Sequence, residues 1–189
     1  MKILLVDNET KHVNELTKLI PGIEDVRSWY ELNGNEADIY DLIILSGSSS
    51  ASVVWHNSFF EKEIELIKNT KIPIIGICFG CELIAFSFGA SFKELEVEHH
   101  GVRNIKLNRE INIDTDKTIQ VYEHHRWIIS TMSDELTVLG SSDDGPEFIK
   151  HKNFPIYGLQ FHPEHLCNVT DGRKIFEYIL EEISRKRTR

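Results

Sequence analysis

The chain alternates between short, wholly apolar runs and longer stretches in which apolar residues recur at helical spacing. The first run, KILLVD at 2–7, reads as a strand buried on both faces, and it leads into the turn pair Asp7-Asn8. Residues 10–20 place Val13, Leu16, Leu19 and Ile20 on one helical face, and Pro21-Gly22 stops them. DVRSWY at 25–30 is a second predicted strand. YDLIIL at 40–45 is a third, and it turns abruptly into SGSSS. FFEKEIELIKN at 59–69 is an amphipathic helix, IPIIGI at 72–77 a fourth strand, and FGCELIAFSFG at 79–89 a helix closed by Gly89. The order β-α-β-β-α-β-α, with apolar strands separated by helices, predicts an α/β fold whose mainly parallel sheet is covered on both faces.

Beyond Gly89 the pattern changes. VRNIKLN, TIQVYEHH, LTVLGSSD, PEFIKHK and IYGLQFHPE are short strand-like runs separated by turn residues, which predicts antiparallel strands added in the C-terminal half. DGRKIFEYILEEISRK at 171–186 is a last amphipathic helix. No linker, repeat or low-complexity run divides residues 1–189, so a single domain is expected. Ligands of parallel sheets gather outside the carboxyl ends of the strands. Three segments fall there and should converge: SGSSS, CFGC and HPE.

Composition narrows the function classes. A chain of 189 residues can bury about 70% of its unfolded surface, and 41% hydrophobic with 27% charged residues is globular usage. The net charge of −9 makes nucleic acid a poor partner, because phosphate binding needs a basic surface. The tail SRKRTR, with Arg185, Lys186, Arg187 and Arg189, reads instead as a solvated helix end whose cations suit the macrodipole. The N-terminal apolar run is five residues at most, too short for a signal peptide or membrane span. Three irregularly spaced cysteines make no disulfide framework, so a reducing, cytoplasmic location is expected.

The pair Cys78-Phe79-Gly80-Cys81 admits several readings. A thioredoxin-like redox pair also sits at a strand-to-helix junction, but the flanking sheet is too large and parallel, and no aromatic precedes Cys78. A zinc half-site would need two more ligands. Cys167, His99-His100 and His124-His125 offer none at a supporting spacing, and no metal is expected. A buried structural cysteine is a further reading. Against it stands Gly76-x-Cys78-x-Gly80, the shape of a nucleophile elbow with cysteine for serine. The small residues two before and two after prevent collision with strand and helix. The helix beginning at Phe79 would aim free N–H groups at the sulfur, lowering its pKa and offering an oxyanion donor. A cysteine nucleophile needs an oriented base. QFHPEH supplies His162 with Glu164 two residues on, on the same side of an extended segment, with Pro163 fixing the backbone between.

Together, GICFGCELIAFSFGA, PIYGLQFHPE, ILLVDN and LIILSGSSS resemble the class I (triad) glutamine amidotransferases over nearly the whole chain. FIKHKNFPIYGLQFHPE is especially similar to the glutaminase unit of GMP synthetases. The resemblance implies a flavodoxin-like open α/β sheet and hydrolysis of L-glutamine's side-chain amide. It also implies ammonia transfer to a separate ATP-dependent synthetase subunit of the GMP synthetase type. ATP and magnesium would belong to that partner, with no cofactor in this subunit, no nucleic acid and no membrane. It implies Cys78 as nucleophile, His162 as proton carrier and Glu164 as its orienter. Oxyanion donors would be the Phe79 and Ser48 N–H groups, with Gly47, Glu82 and His125 around the substrate.

The chain departs from the family pattern at four places. Gly47-Ser48-Ser49 stands for Gly-Gly-Pro, which puts a Cβ where glycine permits close approach and positive φ. Gly80-Cys81-Glu82 stands for Gly-His-Gln, adding a negative charge near the substrate carboxylate unless Glu82 is protonated or turned toward the substrate ammonium. His124-His125-Arg126-Trp127 stands for Ser-His-x-Asp, and HLCNVT for the His-Thr after HPE. Two other functions fit the same residues: a γ-glutamyl hydrolase or peptidase, and a non-catalytic regulatory module. Cys81 is expected to pack in the helix, or to form an inactivating disulfide with Cys78 under oxidation. Cys167 and the His-His pairs are expected to be surface or loop residues.

Overall fold

The computed structural model describes residues 1–108, 111, 113 and 117–187, the side chains of Lys186 and Arg187 excepted. The sheet runs β2-β1-β3-β4-β9-β8-β7-β5-β6. Its parallel half comprises β2 (Ile23–Ser28), β1 (Ile3–Asp7), β3 (Leu42–Leu45), β4 (Ile74–Ile77) and β9 (Ile156–Leu159). Antiparallel pairing then adds β8 (Pro146–His151), β7 (Leu136–Ser141), β5 (Ser91–Leu107) and β6 (Thr118–Thr131). This is the expected mainly parallel sheet with antiparallel strands in the C-terminal half.

Strands β3, β4 and β9 are buried at every position because helices lie on both faces. Ile3, Leu5, Ile44 and Ile77 pack on one side with α1 (Val13–Leu19) and α6 (Gly172–Arg187), through Leu16, Ile175, Phe176, Ile179 and Ile183. Leu4, Val6, Ile43, Leu45 and Ile74 pack on the other with α4 (Glu61–Asn69) and α5 (Phe79–Ser87). The period-2 alternation of strand side chains divides the core this way. Helix α5 is the most enclosed, and its first seven residues are all buried. It approaches closely because Gly76 and Gly158 are cross-strand neighbours beneath it.

Several boundaries move. The second strand begins two residues earlier than expected and ends at Ser28, where a capping box with Glu31 starts a 3-10 turn over Trp29–Glu31. Trp29 leaves the strand to pack on Phe60, with ring centroids 4.8 Å apart. The first helix starts three residues late, since the Asp7 side chain accepts from Thr10 N–H and holds a turn. Short helices α2 (Glu36–Ile39) and α3 (Val53–His56) fall in segments without helical periodicity. The largest difference is the β5–β6 hairpin, which extends through SFKELEVEHHG, a stretch too polar on both faces to read as a strand. Of the basic tail, Arg185 is an exposed helix residue bound to Glu181 and Glu182, and Arg189 lies outside the described residues. Among the described residues no helix is long and apolar enough to cross a membrane.

Candidate active site

The carboxyl ends of β3, β4 and β9 bring together the three segments expected to converge. At the end of β4, Cys78 adopts φ 50° and ψ −105°, a left-handed conformation that a β-carbon-bearing residue holds only when its surroundings enforce it. The enforcement is visible. Cys78 N–H donates to Leu159 O at 2.7 Å, and Glu82 N–H donates back to Cys78 O at 3.0 Å, so strand and helix clamp the corner from both sides. A Cβ at Gly76 would overlap the Gly80 carbonyl, and one at Gly80 would overlap the Leu45 carbonyl. Both glycines are therefore steric requirements of the elbow. Phe79, first residue of α5, has an N–H with no acceptor inside the helix.

His162 follows β9 and is held by its own backbone, whose N–H donates to Tyr122 O at 2.8 Å. Its Nδ1 lies 2.8 Å from Glu164 Oε1, and both residues are buried. Burial alone would pull the imidazole pKa down. The Glu164 carboxylate and the Cys78 sulfur outweigh it and hold His162 well above its ordinary value. Glu164 shows the complement: burial pushes it up, but His162 wins and lowers it. A Cβ built at Gly47 would stand 3.3 Å from His162 Cε1 and 3.5 Å from Cys78 Cβ, so cysteine and histidine meet across this glycine.

The thiol departs from expectation. Burial raises the Cys78 pKa, while charge and hydrogen bonding to His162 pull it the other way without prevailing. The helix N-terminus does not by itself offset removal from water, so the thiolate depends on the neighbouring imidazolium.

The loop after β3 rests on a buried polar scaffold that no sequence motif marks out. Asn8 N–H donates to Ser46 Oγ at 2.8 Å, Asn8 Nδ2 to Glu63 Oε1 at 3.1 Å, and Ser46 Oγ to Gly47 O at 2.8 Å. Burial raises Glu63 to about 8, so it is protonated at neutral pH. The only signal in the sequence is Asp-Asn at the end of an apolar strand, which reads simply as a turn. Ser48 needs no positive φ, contrary to the glycine-like backbone its position suggested. Its Oγ accepts from Ala51 N–H at 3.0 Å and shapes the loop.

Glu82 presents no charge to the cleft. It is buried, raised to about 8 by burial, and accepts hydrogen bonds from Gln160 Nε2 at 3.3 Å and from the Val53 backbone. His125 is buried and does not line the cleft; its Nδ1 is 3.0 Å from Trp127 O and its Nε2 3.4 Å from Glu123 Oε2. Trp127 meets Trp55 of α3 edge-on. Cys81 belongs to the core cluster opposite that of Cys78, so the two cysteines face different sides of the sheet rather than each other. A Cβ at Gly158 would come within 2.7 Å of its sulfur, which makes Cys81 a packing residue. Cys167 is half-buried, with Sγ 3.2 Å from Glu164 O. The surface expectation for the histidine pairs fails for His99 and His125, which are buried.

A cleft of about 230 Å³ opens beside His162, lined by it and by Thr10, Lys11, His12, Ser48, Glu98 and His124, among others. A larger depression of about 350 Å³ between α2 and α4 contains no nucleophile or imidazole.

The family "Glutamine amidotransferase class-I" matches residues 5–181. The chain is 29% identical over 175 residues to a glutamine-hydrolyzing GMP synthase subunit of Methanosphaera stadtmanae, covering 91% of this chain and 87% of that one. It is 27% identical to the corresponding GMP synthase subunit of Methanocaldococcus jannaschii, over 84% and 80% of the two chains. A crystal structure of a candidate GMP synthase subunit from Thermoplasma acidophilum superposes with a TM-score of 0.87 at 27% identity. That match covers 100% of this chain and 96% of the other. With the family match spanning both the elbow and the histidine–glutamate pair, the chain belongs to the class-I glutamine amidotransferases.

Proposed function

We propose that the chain is a glutaminase subunit that hydrolyses the side-chain amide of glutamine and delivers the ammonia to a separate synthetase of the GMP synthetase type. The observation that carries this reading is Cys78 in a forced left-handed turn beside an imidazole bonded at 2.8 Å to a buried carboxylate. The similarity to glutamine-hydrolyzing GMP synthase subunits supports the choice of partner. Cys78 gives its proton to His162, and the sulfur attacks the amide carbon. The oxyanion is received by Phe79 N–H and Ser48 N–H, each such donor being worth about 3–4 kcal/mol in a hydrolase. His162 returns the proton to the departing ammonia, leaving a γ-glutamyl thioester. A water, deprotonated by His162, then releases glutamate and restores the thiol. Glu164 stabilises the imidazolium in both halves.

The cleft suits a single amino acid, being smaller than the roughly 300–1,000 Å³ of sites for larger ligands. Lys11 and Glu98 line it and offer partners for the α-carboxylate and α-ammonium. Glu82, buried and protonated at neutral pH, does not line it and leaves glutamine binding unopposed. This removes a main reason for preferring a γ-glutamyl amine as substrate. ATP and magnesium act in the partner alone.

The reading is tested by ammonia release from glutamine. Wild type is expected to release it slowly alone and faster once an ATP-dependent GMP synthetase partner and its nucleotide are added, and Cys78→Ala to release none. Turnover of γ-glutamyl amines without glutamine turnover would select the hydrolase instead.

A further inference from the structure

Outside the triad, the described residues contain a second buried cluster of reactive side chains: His99 of β5 with Glu123 and His125 of β6. Their placement follows from the hairpin register. His99 pairs with His125, and Glu123, two residues before His125 on the same face, pairs with Gly101. The glycine opposite Glu123 leaves its carboxylate room to reach both rings. All three residues are at most 6% exposed.

The polar atoms are aimed inward at one point. His99 Nδ1 lies 3.1 Å and His125 Nε2 3.4 Å from the same oxygen, Glu123 Oε2. Ligands on a tetrahedral ion with bonds of about 2.0–2.1 Å sit roughly 3.3 Å apart. The outward nitrogens are also accounted for. His125 Nδ1 donates to the Trp127 carbonyl at 3.0 Å, which leaves the Nε2 lone pair pointing at Glu123. His99 Nε2 faces Asp144 Oδ2 at 3.4 Å, which leaves Nδ1 for the centre. An imidazole that binds a metal with one nitrogen is ordinarily held by a carboxylate or carbonyl on the other. Both histidines have this arrangement. Finally, Glu123 Oε1 and His125 Nε2 are buried without a hydrogen-bond partner, a cost that a cation would remove.

We propose that His99 Nδ1, Glu123 and His125 Nε2 bind a divalent transition metal, zinc by ligand type and geometry, with the fourth position left for water. This departs from the expectation of no metal, which rested on sequence spacing. A cross-strand pair brings together ligands 24 and 26 residues apart in the chain, and no linear motif announces it. The proposal does not depend on the glutaminase reading. Two of its three ligands belong to β6, the strand whose Tyr122 carbonyl holds His162 N–H and whose His124 carbonyl lies 3.7 Å from the Cys78 sulfur. The ion would pin the hairpin where it walls the catalytic cleft.

The test uses the full chain stripped with a chelator and titrated with zinc or cobalt(II) alone. One equivalent is expected, with a cobalt spectrum of nitrogen and oxygen ligation, the same in Cys78→Ala and weakened at least about a hundredfold in His99→Asn. Circular dichroism checks that His99→Asn is folded. If it is not, X-ray absorption of the zinc-loaded wild type decides: imidazole scattering without sulfur supports the site. Absence of stoichiometric binding, binding that Cys78→Ala abolishes, sulfur in the zinc shell, or undiminished binding by folded His99→Asn would each overturn it.

Discussion

At the scale of single residues the proposed Cys78–His162–Glu164 mechanism is a question of where protons sit. Glu164 and the Cys78 sulfur hold His162 above its ordinary pKa, and burial holds the Cys78 thiol up. The reactive form appears when the pair loses one proton, so activity should rise with pH through a midpoint above the usual histidine value. Glu164→Gln removes the carboxylate that retains the proton. Its kcat/KM profile is expected to shift to lower pH while the plateau falls about a hundredfold, because less imidazolium supports the thiolate. An unmoved midpoint would show that Glu164 does not tune His162. Glu82 gives a stability prediction. Its folded pKa of about 8 lies above the carboxylate value of 4.5, so the folded state keeps a proton that the unfolded chain releases. Stability attributable to Glu82 therefore falls as pH rises from 4.5 to 8, by about 3 kcal/mol at pH 7. Glu82→Gln should gain little at pH 5 and up to that amount near neutrality, measured by denaturant unfolding at each pH. A gain independent of pH would contradict it. The Gly76-Cys78-Gly80 elbow and the His162–Glu164 pair were each legible because each is a local spacing. The protonation of Glu82 was not, since it comes from burial by elements that arrive from elsewhere in the chain, against the opposing hydrogen bonds of Gln160 and Val53.

At the scale of elements, two glycines around the strand-to-helix corner after β4, Gly80 in the corner itself and Gly47 in the loop after β3, have different tolerances. Gly80 abuts the Leu45 carbonyl, which cannot move without breaking the β3 ladder. Gly80→Ala is expected to cost about 3 kcal/mol or to prevent folding, read from the unfolding midpoint. A Cβ at Gly47 would be tight only against the His162 ring, at 3.3 Å, its other neighbours lying at ordinary contact distance. Gly47→Ala should leave the melting temperature nearly unchanged and lower kcat by displacing the imidazole a few tenths of an ångström. Equal melting temperatures with unchanged kcat would mean the ring has slack. Buried strands such as LIIL and IIGI were readable because both faces are apolar. The first half of β5 was not: Lys93, Glu94, Glu96, Glu98 and His100 are exposed and give no alternating signal. Its strand character comes from pairing with β6, a long-range fact. Gly158 was invisible for the same reason, its purpose being the approach of α5.

At the scale of the whole molecule, the sheet order places β3, β4 and β9 side by side, so residues more than 100 positions apart share one edge. That convergence was predictable from strand ends alone. The β5–β6 hairpin, which supplies Glu98 and His124 to the cleft, was not. The most direct measurement is reaction of the protein with a diazo-ketone analogue of glutamine, followed by mass spectrometry of its peptides. Covalent labelling at Cys78 alone, slowed by glutamine and absent in His162→Ala, is the predicted result. Labelling at Cys81 or Cys167, or labelling of Cys78 that glutamine does not slow, would contradict a thiol armed by His162 in a glutamine site.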